Sequence, residues 1–281
     1  MELSRRLKGL CYQHGMKLLS MIACSVLAAS GLNAHAFLFD GGPTIMYQPR
    51  IGGQLNGSNF TGANLNGRTM NNAQFLNCNM TNTSLQGAHA PRAHFAGSRL
   101  NRTNLSRAHL EEARFTDLTL DRIQASRIHA PALNMADVII ERSNFTDASM
   151  VAANMADVSV HGSNFEKVSL ISAHLADIRF EQSNLADIDF SAASLADVGF
   201  FDLDLTRASF IGATLADVDF HRVDLSDVSF LDARLFDIRF DDAEGLTTSS
   251  FEGACGLGVQ GLPDGITLPV CQFTGFDISE D

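Results

Sequence analysis

The sequence contains no tryptophan and only two tyrosines, whereas it contains 20 phenylalanines. A core whose aromatic residues are almost all phenylalanine needs apolar positions where no side-chain N–H or O–H has to find a partner. Basic residues are also few, because 20 lysines and arginines stand against 32 aspartates and glutamates, for a net charge of −12 over 281 residues. This balance argues against a general nucleic-acid-binding protein, and we expect no direct binding to nucleic acid.

Enzyme motifs are missing as well. The sequence has no glycine-rich phosphate loop, no paired-cysteine motif and no nucleophile elbow. Its serine, histidine and aspartate residues are spread evenly by a repeat and are not clustered in loops. We therefore predict a protein that is not an enzyme and that needs no cofactor.

No apolar run is long enough to span a bilayer comfortably, which takes about 20 residues. Near the N terminus, a mainly apolar stretch over residues 18–29 follows a lysine and precedes the small residues of a cleavage site at 34–36. This arrangement is typical of a secretory signal peptide. We predict a signal peptide over residues 1–36, with Met16 as an alternative start, and export to the periplasm or out of the cell. Lipoprotein processing at Cys24 is the alternative.

The strongest pattern in the sequence is a period of five. From residue 55 to residue 240 every fifth residue is apolar, at 38 positions without a slip in phase, and 28 of these are Leu or Phe. A second selected position, two residues earlier, is mostly Ala, Val, Ile or Ser. Five residues advance an α-helix by about 500°, so the pattern is not a helical stripe. It suits a chain that turns a corner every five residues.

A longer period of 20 residues groups these pentapeptides in fours. The triplet Ala/Phe-Asp-Val/Ile recurs at 136–138, 156–158, 176–178, 196–198, 216–218 and 236–238. Central Phe and Leu residues alternate so that residues 20 apart are alike, as in Phe180, Phe200, Phe220 and Phe240. Four sides of five residues predict a square coil in which two side chains per side face inward.

Segments such as Gly62-Ala63-Asn64-Leu65-Asn66 and Ala213-Thr214-Leu215-Ala216-Asp217 resemble the pentapeptide-repeat family, whose motif is A-(D/N)-L-x-x. The resemblance covers about 190 of the 281 residues. It implies an all-β fold, a right-handed quadrilateral β-helix solenoid. The repeats make nine to ten coils, which corresponds to a rod about 46 Å long at a spacing of roughly 4.8 Å per coil.

The limits of the repeat divide the chain into segments. We predict an N-terminal cap over residues 37–52, the β-helix over 53–243 and a C-terminal cap over 244–281, which is rich in Gly and Pro. Such caps protect the unpaired edges of a solenoid. The C-terminal cap contains Cys255 and Cys271, which are a candidate disulfide in an exported protein, with two buried free thiols as the alternative.

One outward column, obtained by stepping 20 residues at a time, consists of seven aspartates: Asp117, Asp137, Asp157, Asp177, Asp197, Asp217 and Asp237. Neighbouring carboxylates one coil apart repel by about 0.9 kcal/mol in water-like surroundings. Two interpretations are open. Each Asp accepts hydrogen bonds from backbone N–H groups at its own corner, as in an Asx turn, or the column is an acidic stripe that binds cations or a basic partner.

Three other outward columns carry weaker signals. Alternating charges predict a ladder of salt bridges over Arg127, Asp147, Lys167, Asp187, Arg207 and Asp227. A ladder of side-chain amides is predicted over Asn144, Asn164 and Asn184. A weak candidate for zinc or copper consists of His89, His109 and His129. No carboxylate or cysteine in the same run completes that site, so we predict no bound metal.

Two functions from different classes fit the sequence. The first is an exported, non-enzymatic structural or interaction scaffold that presents acidic rigid faces to a protein or envelope partner and forms homodimers through the solenoid ends. The second is mimicry of DNA, since the family that the chain resembles includes gyrase-protecting members whose acidic rod occupies a DNA-binding surface. Export would separate the protein from gyrase, which favours the scaffold. Cation or metal binding on the Asp or His columns is a third alternative.

Overall fold

The structure is a computed structural model that describes Leu55 and residues 57–271. These residues lie in the second of the two units into which the chain divides, Gly41–Asp281. The signal peptide predicted over residues 1–36 and the N-terminal cap predicted over 37–52 are outside the described residues. None of the described residues forms a helix both long and apolar enough to cross a membrane.

The described part of the chain is a solenoid of parallel strands. Ten strands form one sheet in chain order, namely β1 Gln74–Leu76, β2 His94–Ala96, β3 Arg114–Asp121, β4 Asn134–Glu141, β5 Asn154–His161, β6 His174–Glu181, β7 Ser194–Asp204, β8 Thr214–Asp224, β9 Arg234–Asp241 and β10 Cys255–Leu257. From β1 to β9 each strand pairs with the next at an offset of 20 residues, as Phe200 does with Phe220. The other sides of each coil make isolated parallel bridges at the same offset, such as Asn144 to Asn164. The predicted all-β solenoid is confirmed.

A left-handed residue marks every corner of the coil. All 38 residues spaced by five from residue 57 to residue 242 have φ between 48° and 69°. Each turn outside the strands is closed by a backbone hydrogen bond, such as the one that Ala213 N–H donates to the carbonyl of Phe210 at 3.0 Å. A positive φ at the third residue of such a turn is the signature of a type II turn. This turn returns the next pentapeptide to the core.

Two stacks of phenylalanine rings fill the C-terminal part of the core. Ring centroids are 5.0–5.3 Å apart in one stack, which contains Phe180, Phe200, Phe220 and Phe240. They are 4.9–5.1 Å apart in the other, which contains Phe190, Phe210, Phe230 and Phe251. Rings of the two stacks meet edge to face at 5.9–6.2 Å. Both arrangements are favourable for aromatic pairs, and the predicted stacking of like on like is confirmed.

The C-terminal end contains a coil that the five-residue pattern does not show. Strand β10 pairs with β9 at an offset of 21, with Gly256 opposite Leu235. The carbonyls of Glu244 and Ser250 accept hydrogen bonds from residues 19 and 20 positions earlier, respectively, so the extra residue lies between them. A 3-10 helix, Thr248–Phe251, absorbs this residue. Residues 244–260, placed in the cap by the sequence, therefore continue the solenoid.

A strap formed by residues 262–271 covers this last coil. Three of its apolar side chains pack against the core, those of Leu262, Ile266 and Leu268. Gly256 N–H donates a hydrogen bond of 2.8 Å to the carbonyl of Pro269. A disulfide joins Cys255 to Cys271, with 4.8 Å between their Cα atoms. The cysteine pair proposed from the sequence is confirmed, and it ties the strap to β10.

Candidate functional site

The seven aspartates from Asp117 to Asp237 form the acidic column, which occupies the same corner of successive coils. Each of them is exposed and has a φ of 52–55°. Aspartate, like asparagine, tolerates this left-handed conformation better than most residues because its short polar side chain can bond locally. The backbone of the corner therefore explains why aspartate recurs there.

The Asx turns predicted at the acidic column are found at a different column. The Oδ1 atoms of Asn144, Asn164 and Asn184 accept hydrogen bonds of 2.9–3.0 Å from the backbone N–H two residues later. These bonds also take the place of the predicted amide ladder, which is wrong. Among the described residues, no carboxylate of the acidic column has a hydrogen bond or an ion pair. Its charge is available to a partner.

The C-terminal half of the acidic column borders a groove of about 710 Å³. The column residues that line this groove are Asp177, Asp197, Asp217 and Asp237. Arg179, Gly199 and Arg239 lie two residues further along the chain in their respective coils, on the same side of the solenoid. Gly199 has no side chain to fill the middle of this side, which accounts for the concavity.

The basic residues in the groove have partners of their own. The Arg179 guanidinium lies 3.9 Å from the centroid of the Phe201 ring, and its Nε donates a 2.7 Å hydrogen bond to Glu181. Arg239 donates two bonds, of 2.6 and 2.7 Å, to the two carboxylate oxygens of Asp219. Because neither arginine contacts the acidic column, the aspartates are not neutralised from within the groove.

The predicted salt-bridge ladder forms only in part. Arg127 contacts Asp147 at 3.2 Å, and Arg207 contacts Asp187 at 2.7 Å. The hydrogen bond from Arg207 holds the pKa of Asp187 below its usual value. Lys167 pairs with Glu166, its neighbour in the chain, at 2.5 Å. A continuous ladder is therefore wrong, because a nearby carboxylate in the same coil captures the lysine.

The histidine column has a carboxylate nearby, contrary to the prediction. Rings of His89 and His109 stack at 4.3 Å, and Glu111 Oε1 lies 3.2 Å from His109 Nδ1 and 3.8 Å from His129 Nε2. Glu111 belongs to the next outward column, which the 20-residue step does not compare with the histidines. In the part of the chain that the structure describes, no group of three His, Cys, Asp or Glu residues is arranged to hold a metal ion.

The left-handed corner is the feature that sequence reasoning missed. It determines the direction in which every corner side chain leaves the rod, including those of the acidic column. A signal for it was present, because seven glycines fall at this one position of the repeat: Gly57, Gly62, Gly67, Gly87, Gly97, Gly162 and Gly212. Glycine is the residue that adopts positive φ without cost.

Comparison with known proteins matches the repeat. Two family models match, one described as a pentapeptide repeat region over residues 68–145 and one as pentapeptide repeats (8 copies) over residues 204–242. No curated protein matches the sequence. Both family matches fall within the described solenoid.

Solved structures with a similar architecture include two pentapeptide repeat proteins. HetL, involved in heterocyst differentiation regulation in the cyanobacterium Nostoc sp. strain PCC 7120, is 18% identical; the alignment covers 72% of this chain and 87% of HetL, with a TM-score of 0.36. QnrB1, a plasmid-mediated fluoroquinolone resistance protein, is 15% identical; the alignment covers 67% of this chain and 91% of QnrB1, with a TM-score of 0.48.

Proposed function

We propose that this chain, which belongs to the pentapeptide-repeat proteins, is an exported, non-enzymatic interaction scaffold whose acidic column binds a basic surface of a protein partner. The observation that supports this most directly is the column itself. Its seven carboxylates are exposed, are held at fixed corners of a rod, and have no ion pair among the described residues.

The physical advantage of such a surface is that it is organised before binding. A partner that meets a flexible acidic segment must order it, whereas each carboxylate here leaves a corner whose backbone is fixed by ladders on both sides. Complementary charge raises the rate of encounter and selects against acidic partners. The groove beside Asp177 to Asp237 gives a basic segment a place to lie along the rod.

The test compares two variants with the same net charge. In the first, four residues of the acidic column are changed: Asp177→Asn, Asp197→Asn, Asp217→Asn and Asp237→Asn. In the matched control, four other outward aspartates are changed: Asp189→Asn, Asp204→Asn, Asp224→Asn and Asp242→Asn. Asparagine suits both sets, because it tolerates the corner and also accepts Asx hydrogen bonds.

Proteins of the exported fraction are cross-linked to the full chain and to each variant, and the captured proteins are quantified. We expect the column variant to lose its captured partner and the control to keep it. Equal capture by both variants would show that the acidic column is not the binding surface.

The export component of the proposal is tested separately. A fusion of residues 1–50 to a reporter enzyme should appear outside the cytoplasm. If the reporter stays in the cytoplasm, the address is wrong, although the scaffold role would still depend on the column variants.

Mimicry of DNA is the second candidate, and the charge of the C-terminal coils favours it. Residues 131–271 contain 23 acidic residues against 7 basic residues. An acidic rod of this kind resembles the phosphate backbone in charge. A gyrase supercoiling assay with the mature chain tests this function, and an absence of any effect at micromolar concentration would rule it out.

A further inference from the structure

Positive charge is concentrated in two adjacent coils of this acidic protein. Residues 91–130 contain seven arginines and four acidic residues, a net charge of +3, whereas residues 131–271 have a net charge of −16. All basic residues in these two coils are arginines. The planar guanidinium of arginine matches sulfate and phosphate groups better than the ammonium of lysine does.

Four of these arginines frame one flat side of the solenoid, the arginine face. Arg102 and Arg107 occupy successive corners of one coil, and Arg122 and Arg127 occupy the same corners of the next coil. All four side chains are exposed, and their φ angles lie between 54° and 58°. The left-handed corners therefore project two rows of guanidinium groups, about 4.8 Å apart along the rod.

Much of this charge is not neutralised. Within the described residues, the side chains of Arg102 and Arg107 have no carboxylate partner. Arg122 lies 3.9 Å from Asp121, and Arg127 lies 3.2 Å from Asp147. These exposed single contacts are weak. At the same corner in the acidic half, by contrast, Arg207 makes two hydrogen bonds of 2.7 Å to its aspartate.

Amide and hydroxyl groups lie between the two pairs of arginines. The residues concerned are Asn104, Ser106, Gln124 and Ser126. Asn104 Oδ1 accepts a 2.9 Å bond from Ser106 N–H, which leaves its amide N–H groups facing outward, and Ser126 Oγ donates to Ser106 Oγ at 3.3 Å. These two coils place no aromatic or acidic side chain on this side, as far as the chain is described.

We propose that the arginine face binds an acidic polysaccharide that carries sulfate or phosphate groups. Successive anionic groups of an extended chain would meet successive arginines, and its sugar hydroxyls would meet the amide and hydroxyl groups between them. A flat side cannot enclose a small anion, so affinity depends on several contacts along one chain. Single-stranded nucleic acid would lack the aromatic platform on which bases stack. Screening over about 10 Å at 0.1 M salt limits repulsion from the acidic half.

The probe for this proposal is a heparin-derived sulfated octasaccharide, titrated into the full chain at low salt, about 50 mM. The test variant is Arg102→Asn with Arg107→Asn. Asparagine already occupies the same corner conformation at Asn72, Asn77 and Asn82, so the fold should be retained, and thermal unfolding checks this. The matched control is Arg207→Asn with Arg222→Asn, which has the same net charge and the same corner backbone.

We expect the test variant to bind the octasaccharide at least about tenfold more weakly than the natural chain. Its dependence of log K on log salt should be shallower by about one to two. The control should bind as the natural chain does, and neutral dextran should not bind. Three results would overturn the proposal: no binding by the natural chain, equal losses in both variants, or tighter binding of an oligothymidylate of equal charge.

Discussion

At the scale of single residues, the corner position explains a choice that charge alone does not. Thirty-one non-glycine residues adopt positive φ on this lattice, and each incurs a cost of roughly 1 kcal/mol relative to glycine. Aspartate reduces that cost. The acidic column therefore satisfies the backbone first, and its exposed carboxylates, which no residue of the described chain neutralises, are then free to interact with a partner.

Removing a side chain at a corner should stabilise the protein. Ala152 is exposed and has a φ of 56°, so we expect Ala152→Gly to raise the free energy of unfolding by about 0.5–1 kcal/mol, the relief of left-handed strain less the added entropy of the unfolded chain. Denaturant unfolding measures the change. The adjacent Ala153→Gly is the control, because Ala153 is buried and does not adopt positive φ; it should destabilise. A loss of stability in Ala152→Gly would contradict this account of the corner.

At the scale of elements, the strap and its disulfide close the C-terminal end. The bond between Cys255 and Cys271 closes a loop of 16 residues, which the loop-entropy model values at about 3 kcal/mol. In a solenoid each coil contacts only its neighbours, so the loss should remain local.

The double variant Cys255→Ser, Cys271→Ser should therefore lose hydrogen-exchange protection over residues 255–271. Protection around Phe200 and Phe220, two coils away or more, should not change. Cys78 is buried outside this pair, and burial raises the pKa of its thiol, so it serves as an internal reference in thiol titration. Two further free thiols in the native exported protein would contradict the disulfide.

The elements also show what the sequence could and could not predict. The five-residue phase predicted the square coil and the stacking of Phe180 on Phe200, because both depend only on periodicity. The tenth coil escaped prediction because one inserted residue between Glu244 and Ser250 shifts the phase. Column membership was predicted correctly, but the contacts of Lys167 and Glu111 were not, since they depend on side-chain reach between columns.

At the scale of the whole molecule, stability should vary along the rod. The first described coil has only partly buried core residues, Leu55, Phe60 and Leu65, whereas the phenylalanine stacks fill the C-terminal coils. Stability in such a rod is approximately a sum of coil and interface terms. We expect amide exchange to be faster over residues 57–90 than over 190–240. Uniform protection along the chain would contradict this expectation. Homodimer formation through the solenoid ends stays a prediction, and light scattering measures it.

The 20-residue offset between strands has a consequence for the length of the rod. Each coil repeats the same backbone, so duplicating or deleting one whole coil would lengthen or shorten the molecule by a single step of roughly 4.8 Å and leave every corner in phase. Such a change between residues 131 and 170 would shift the arginine face relative to the groove by that step. The protein is thus built as a ruler, with graduations of one coil and charges of opposite sign marking its two ends.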